Sequence, residues 1–435
     1  MSNPILSSNQ SSAVVATINE STTKNPWVYN ETDRLTVPHA LQLLNIQSSS
    51  GQASANTTVT FDLPKNGLLQ QLFVKITGGT AKHGTAGNVF YKSTDDRHEP
   101  SETQRRLGFL STIASVRLTA SGRIIEKLDR QQLLARIADM PPVYKQSVEA
   151  SMFMTRPVDS YIDTVATMPL PFYFSRDQQR YGLLTNFEEP FRVEIQFGSD
   201  DDLKLAPDGG ALTNGTLKKV ELIGHYRQLD EPQMNEIVSK NYGDGLLSRI
   251  VDISKRESVH DVTAQKPAGT EAQGTTVLTE RVQLKENEAV RAMYVMLCPQ
   301  DGPSHLKGAP APIEEIELRF NNSTVMNVPA PLLRYYGRWG QSTDLAAGPS
   351  DLIEGTVGCL QYVYKIDFGL GYDKGLSNVV AMREISNPEL VVKFRWAQDG
   401  NHGDVTEYKL HVVYDTATFL STSSSTGRVQ LSISS

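Results

Sequence analysis

Phe191-Arg192-Val193-Glu194-Ile195-Gln196-Phe197 alternates apolar and polar residues without a break. Successive side chains of a β-strand point to opposite faces, so such a run buries Phe191, Val193, Ile195 and Phe197 and wets the residues between them. A comparable run, 390–396, lies in the second half of the chain. Around each run stands the same succession of strand-like segments. The first half reads 72–76, 115–119, 170–174, 191–197 and 220–226, and the second answers with 291–297, 315–320, 362–368, 390–396 and 407–414. Counterparts lie roughly 190–220 residues apart, far beyond the short period of a solenoid. The expectation is an all-β chain of two tandem domains of one kind. Doubling a sandwich suits a chain that tiles a surface better than one that performs a reaction.

Each half also carries a hairpin that leads into a short helix. In the first, Val116-Arg117-Leu118-Thr119 and Ile124-Ile125 flank Ser121-Gly122, a compact turn whose glycine accepts positive φ. The stretch from Asp129 to Ala138 is rich in helix formers, and Asp129 and Gln132 have capping-box spacing. In the second, 316–320 and 324–326 flank Asn321-Asn322, and Pro329 and Pro331 precede Leu332-Leu333, as proline in a first helical turn does.

Length and composition set the frame. At 435 residues the chain exceeds a single core, and two domains of about 200 residues follow. The boundaries expected are an N-terminal arm over 1–30, a first sandwich over 31–229, a linker over 230–238 around Asp230-Glu231-Pro232, a second sandwich over 239–420 and a polar tail over 421–435. No apolar run reaches the ~18 residues of a membrane span. The longest, 292–298, reads as a buried strand. The opening residues lack the basic and apolar regions of a secretory signal, so Asn-x-Ser/Thr triplets such as Asn30-Glu31-Thr32 read as chance matches and Cys298 and Cys359 as buried free thiols. Net charge is −7, and the first 26 residues hold only Glu20 and Lys24 as charged groups. A basic arm that neutralises nucleic acid is absent, which argues against direct nucleic-acid binding.

Residues that could carry chemistry do not converge. The eight histidines show no metal-ligand spacing, and His225 and His411 read as packing residues in the last strand of each half. Gly198-Ser199-Asp200-Asp201-Asp202 reads as a solvated acidic loop rather than a calcium site. Asp244 reads as a turn residue. Adjacent carboxylates, Glu188-Glu189 and Glu314-Glu315, would point to opposite faces of a strand and not into one cleft. The expectation is no catalytic residue, no cofactor and no metal, hence no enzyme.

One segment is more specific. Met168-Pro169-Leu170-Pro171-Phe172-Tyr173-Phe174-Ser175-Arg176, followed by Gly182-Leu183-Leu184 and the strand 191–197, resembles a first-domain segment of the double jelly-roll major capsid proteins of tailless icosahedral DNA viruses. Thr185-Asn186-Phe187-Glu188-Glu189 departs from the more apolar run of the large eukaryotic-virus members. The overall layout is similar to that of the shorter proteins of membrane-containing, tectivirus-like bacteriophages, in the strand 72–77, in 220–228 and in the closing 407–420. The resemblance implies two eight-stranded jelly rolls with short helices in loops, homotrimers that form pseudo-hexagonal capsomers, and an icosahedral shell. It further implies synthesis in the host cytoplasm, neighbouring capsomers and minor capsid, penton or membrane proteins as partners, and an internal lipid membrane that the N-terminal arm could reach. An acidic chain suits a shell that lipid separates from its genome. The alternatives are a carbohydrate- or receptor-binding sandwich of the spike or lectin kind and a glycoside-active enzyme on the same scaffold.

Overall fold

The computed structural model describes residues 40–81, 107–120, 122–140, 162–175, 183–185, 190–203, 217–228, 246–256, 260–263, 277–286, 288–301, 307–333, 362–368, 379–395, 407–423 and 429–432. Its first half holds β1 (Ala40–Ile46), β2 (Thr58–Asp62), β3 (Leu68–Ala81), β4 (Ile113–Ala120), β5 (Arg123–Asp129), β6 (Ile162–Leu170), β7 (Leu183–Leu184), β8 (Phe191–Phe197) and β9 (Leu217–Gln228). They pair antiparallel as two sheets, β1-β9-β3-β6 with β7 on β3, and β2-β8-β4-β5. The second half holds β10 (Leu246–Arg256), β11 (His260–Thr263), β12 (Val277–Gln283), β13 (Ala289–Pro299), β14 (Glu315–Phe320), β15 (Ser323–Pro329), β16 (Tyr364–Asp367), β17 (Val380–Ala381), β18 (Glu389–Arg395), β19 (Glu407–Ser423) and β20 (Val429–Ser432). Its sheets are β10-β19-β13-β16, with β11 and β20 on β19 and β17 on β13, and β12-β18-β14-β15.

With the short accessory strands β7, β11, β17 and β20 set aside, eight strands remain in each half and both halves share one connectivity. The first, eighth, third and sixth make one sheet, and the second, seventh, fourth and fifth make the other. Four of the five pairs of segments matched by sequence fall at the same places in this scheme. In β8 the alternation is realised as expected: Phe191, Val193, Ile195 and Phe197 are buried and Arg192 and Gln196 are exposed.

The likeness extends to irregularities, which are a stricter test than strand order. β3 carries one extra residue facing β9, Gln70, and β13 carries one facing β19, Arg291. The hairpin β4–β5 has an extra residue at Ile125 and β14–β15 has one at Val325. Both hairpins turn in two residues; Gly122 has φ +71°, and Asn321 and Asn322 have φ +53° and +62°. Positive φ matches the twist of the flanking strands, and asparagine and glycine reach it most readily. A helix follows each hairpin, α1 (Arg130–Ala138) in the first half and 330–333 in the second. The Asp129 side chain accepts from the Gln132 N–H at 3.0 Å, and the Gln132 side chain accepts from the Asp129 N–H at 2.9 Å, the reciprocal cap expected at that spacing.

Three expectations need correction. The segment 170–174 is not a strand: β6 ends at Leu170 and a 3-10 turn occupies Tyr173–Ser175. Pro171 has no N–H to continue the ladder, so the chain leaves the sheet there and turns its aromatics inward. Phe172 and Phe174 are fully buried, and Tyr173 meets Phe174 edge-on at 5.5 Å between centroids. The stretch 421–435 is not wholly a tail: β19 runs on to Ser423, and β20 returns against it with Leu420 opposite Leu431. The alternation Val429-Gln430-Leu431-Ser432 was hidden beneath a Ser-rich composition. The segment 362–368 contributes only Tyr364–Asp367 as strand. The arm 1–30, the linker 230–238 and the connection 340–356 lie outside the described residues.

Candidate assembly surfaces

β13 is buried along its whole length, on both faces. Val290, Met293, Val295 and Leu297 join the core of the second sandwich, whereas Ala292, Tyr294, Met296 and Cys298 join the core of the first. A strand covered on both faces has no reason to alternate, which explains the continuous apolar run 292–298. The sheet β10-β19-β13-β16 is therefore a shared wall. The second sandwich lies on one side, and the first half's α1 and the 3-10 turn at Tyr173 lie on the other.

Charged groups lock this wall in place. Arg136 of α1 reaches Glu126 of β5 at 3.4 Å and Asp415 of β19 at 3.2 Å, all three essentially inaccessible to solvent. Asp415 also faces Arg291, the extra residue of β13, at 3.7 Å and accepts from the Tyr294 hydroxyl at 3.0 Å. Glu126 accepts from the backbone of Tyr173 at 2.7 Å and of Ser254 at 3.2 Å. The Gln132 amide donates to the carbonyl of Ser254 at 3.0 Å. Thus the outward backbone groups of Ser254, on the edge strand β10, are capped by two side chains of the first half. Lys365 of β16 bonds Asp139, at the end of α1, at 2.7 Å and Asp367 at 3.0 Å. Burial opposes the charge on Lys365, but the two carboxylates outweigh it and hold its pKa above the usual lysine range. Two buried clusters of opposite charge, one around Asp415 and one around Lys365, fix orientation, because any slip leaves a charge without its partner.

Among the described residues, the corresponding sheet of the first half has no such cover. On its outer face Leu41 and Leu43 of β1 are 64% and 69% exposed. Beside them on β9 and β3 are half-buried Ile223, His225 and Phe73. At one end of this face Glu221 receives Lys219 at 2.6 Å, Asn45 at 3.0 Å and Lys75 at 3.4 Å. The Lys219 hydrogen bond, with those from Asn45 and Gln47, lowers its pKa to about 2 against the opposing effect of burial. In the second half's hairpin and helix, Val325 is 58% and Leu332 39% exposed, and no described residue covers them as the wall covers their counterparts.

The residues considered for chemistry have other duties. His411 is buried in the wall, and His225 lies on the open face of the first sheet. Cys298 is a buried thiol that forms no disulfide; Cys359 lies outside the described residues, with Glu188, Glu189 and Asp244. The acidic loop is not simply solvated. Asp202 caps its own turn, accepting from the Ser199 N–H at 3.0 Å, and pairs with Arg130 at 3.0 Å. Burial works against the Asp202 carboxylate, yet Arg130 prevails and lowers its pKa. Glu314 pairs with Arg395, and Glu315 with Lys393 at 2.8 Å, so each serves a cross-strand ion pair. A polar depression of about 130 Å³ lies between Thr58, Ser115, Arg117, Glu194 and Gln196 on the outer face of β2-β8-β4. Its single carboxylate, Glu194, faces Arg117 at 3.9 Å.

Solved structures align with most of the chain. The PBCV-1 virus capsid matches with a TM-score of 0.62 and 12% identity, over 92% of this chain and 98% of that one. The chain has the double jelly-roll fold. The Faustovirus major capsid protein (TM-score 0.57, 10% identity, 90% and 92% covered) and the mavirus major capsid protein (0.54, 13%, 94% and 93%) share it. No protein-family model matches the chain, and no curated protein matches its sequence. At this identity the double jelly roll is carried by the arrangement of the backbone rather than by particular residues.

Proposed function

We propose that the chain is a major capsid protein that self-assembles, as pseudo-hexameric homotrimers, into an icosahedral virion shell around an internal membrane, and that it catalyses no reaction. The observation that carries this reading is the match of both sandwiches, as one unit, to capsid proteins. A sandwich used merely as a binding module would not need a duplicate locked to it by buried charges. Three copies of a duplicated unit present six similar sides, and hexagonal tiling follows from that symmetry. Many modest contacts acting together give such a shell its cohesion. The chain is made in the host cytoplasm and ends in the virion. Its partners are further capsomers and the minor capsid, penton or membrane proteins of the particle. The tectivirus-like, membrane-containing type rests on the layout of the sequence, and the negative charge of −7 agrees with a shell kept from nucleic acid by lipid. Electron microscopy of the native source tests this. Copies of the chain in a hexagonally tiled shell are expected, whereas its absence from particles, or its presence only at projecting spikes, would refute it.

A further inference from the structure

The two halves can be superposed residue by residue through their shared irregularities. In the hairpins, Glu315 pairs with Pro329 as Ser115 pairs with Asp129, and both helices begin at the next residue, so Leu332 stands where Gln132 stands. In the walls, the extra residues Gln70 and Arg291 set the frame. Gln71 opposite His225 then corresponds to Ala292 opposite Asp415, and Leu43, opposite His225, corresponds to Ser254, opposite Asp415. Inside the chain Gln132 and Ser254 touch across the wall. Their counterparts, Leu332 and Leu43, are both exposed apolar side chains.

Two bare surfaces on one chain therefore match the two surfaces that are joined within it. We infer that a second copy of the chain docks its hairpin β14–β15 and the helix at 330–333 on β1, placing Leu332 and Val325 against Leu43 and Leu41, and so repeats between chains the junction built within each chain. This rests on the homotrimer reading above and names the surfaces that reading requires. The contact joins unlike patches, so copies add head to tail, and a head-to-tail contact ends either in a closed ring or in an open filament. Three chains, six sandwiches, are the ring. The repeat differs from its original in chemistry. Met326 replaces Glu126 and Leu332 replaces Gln132, and neither of these side chains can bond the edge backbone of β1. Burial of leucine, valine and methionine holds the contact, and no charge has to be removed from water when copies meet.

Cysteine cross-linking of the full chain tests the pairing. Leu43→Cys combined with Leu332→Cys, oxidised at the wild-type assembly concentration, is expected to give covalent species of two and three chains on a non-reducing gel, while neither single variant does. Charge reversal gives a second route that needs no disulfide geometry. Leu43→Glu is expected to weaken association at least about tenfold, as loss of a buried anchor does, and Leu332→Lys in the same chain to restore most of it. Wild type that forms trimers with no cross-link and no effect of Leu43→Glu would overturn this pairing and leave the trimer standing. Wild type that stays monomeric would overturn both.

Discussion

The hairpin and helix of the first half, β4–β5–α1, and those of the second, β14–β15 and 330–333, are one piece of architecture in two environments. The first is buried against β10 and β19 of its own chain, and its bulge residue Ile125 is 4% exposed. The second faces outward, and its bulge residue Val325 is 58% exposed. Their residues differ accordingly. Where the contact is permanent, charged and amide groups (Glu126, Gln132, Arg136) cap an edge strand and bind a buried carboxylate. Where the face is exposed in the single chain, Met326 and Leu332 take the places of Glu126 and Gln132. A buried polar network can be assembled once, during folding, because its charges meet opposite charges in the final state. A surface that must first stand in water is better made of side chains that lose little by waiting there.

The largest expected effect comes from breaking the polar version. Arg136→Met leaves the Glu126 and Asp415 carboxylates, which share one guanidinium nitrogen, without their common cation. A loss of about 3–5 kcal/mol in denaturant unfolding is expected. Met326→Leu, at the position matching Glu126, is expected to change stability by less than about 1.5 kcal/mol. Equal costs at both places would erase the contrast. Tyr294→Phe removes a hydroxyl that donates to the buried Asp415 carboxylate, and a loss of about 1.5–3 kcal/mol is expected by the same measurement. Smaller still is the cap: Asp129→Ala is expected to cost about 1 kcal/mol, a helix cap's usual worth. Pro329→Ala, at the matching residue, has no side-chain cap bond to lose and should stay within about 0.5 kcal/mol.

The two sheets should also part company with pH. Glu221, on the open sheet, has its folded pKa lowered to about 2, so its contribution is complete above the ordinary carboxylate range and fades as pH falls toward 2. Lys365, on the covered sheet, has its folded pKa raised, so its contribution is complete below the ordinary lysine pKa and fades as pH rises past it. Glu221→Gln should flatten the acid limb of a stability profile and leave the alkaline limb alone; Lys365→Met should do the reverse. A shift in the opposite limb for either variant would contradict the assignment.

Much of the architecture was legible because it depends on local pattern. The alternation of 191–197, the Asn321-Asn322 turn and the Asp129–Gln132 cap are each decided by neighbours in sequence, and pairing counterparts across the halves located four strands of the first sandwich and five of the second. The junction was not legible, because Glu126, Arg136, Arg291 and Asp415 read in isolation like surface charges. Asp415 carried a faint signal, a carboxylate closing the apolar run Val412-Val413-Tyr414 in a strand with no turn residue nearby. The stretch 170–174 misled for a related reason. Its aromatics belong in the core, as read, but Pro171 decides that they arrive there by a turn and not a strand. Surface roles were least visible, since an exposed leucine looks like a buried one until its counterpart is known.

Sedimentation equilibrium of the purified full chain at micromolar concentration tests the central claim most directly. One species at three times 48.0 kDa, stable to dilution, is expected. A species at 48.0 kDa throughout that range would contradict it.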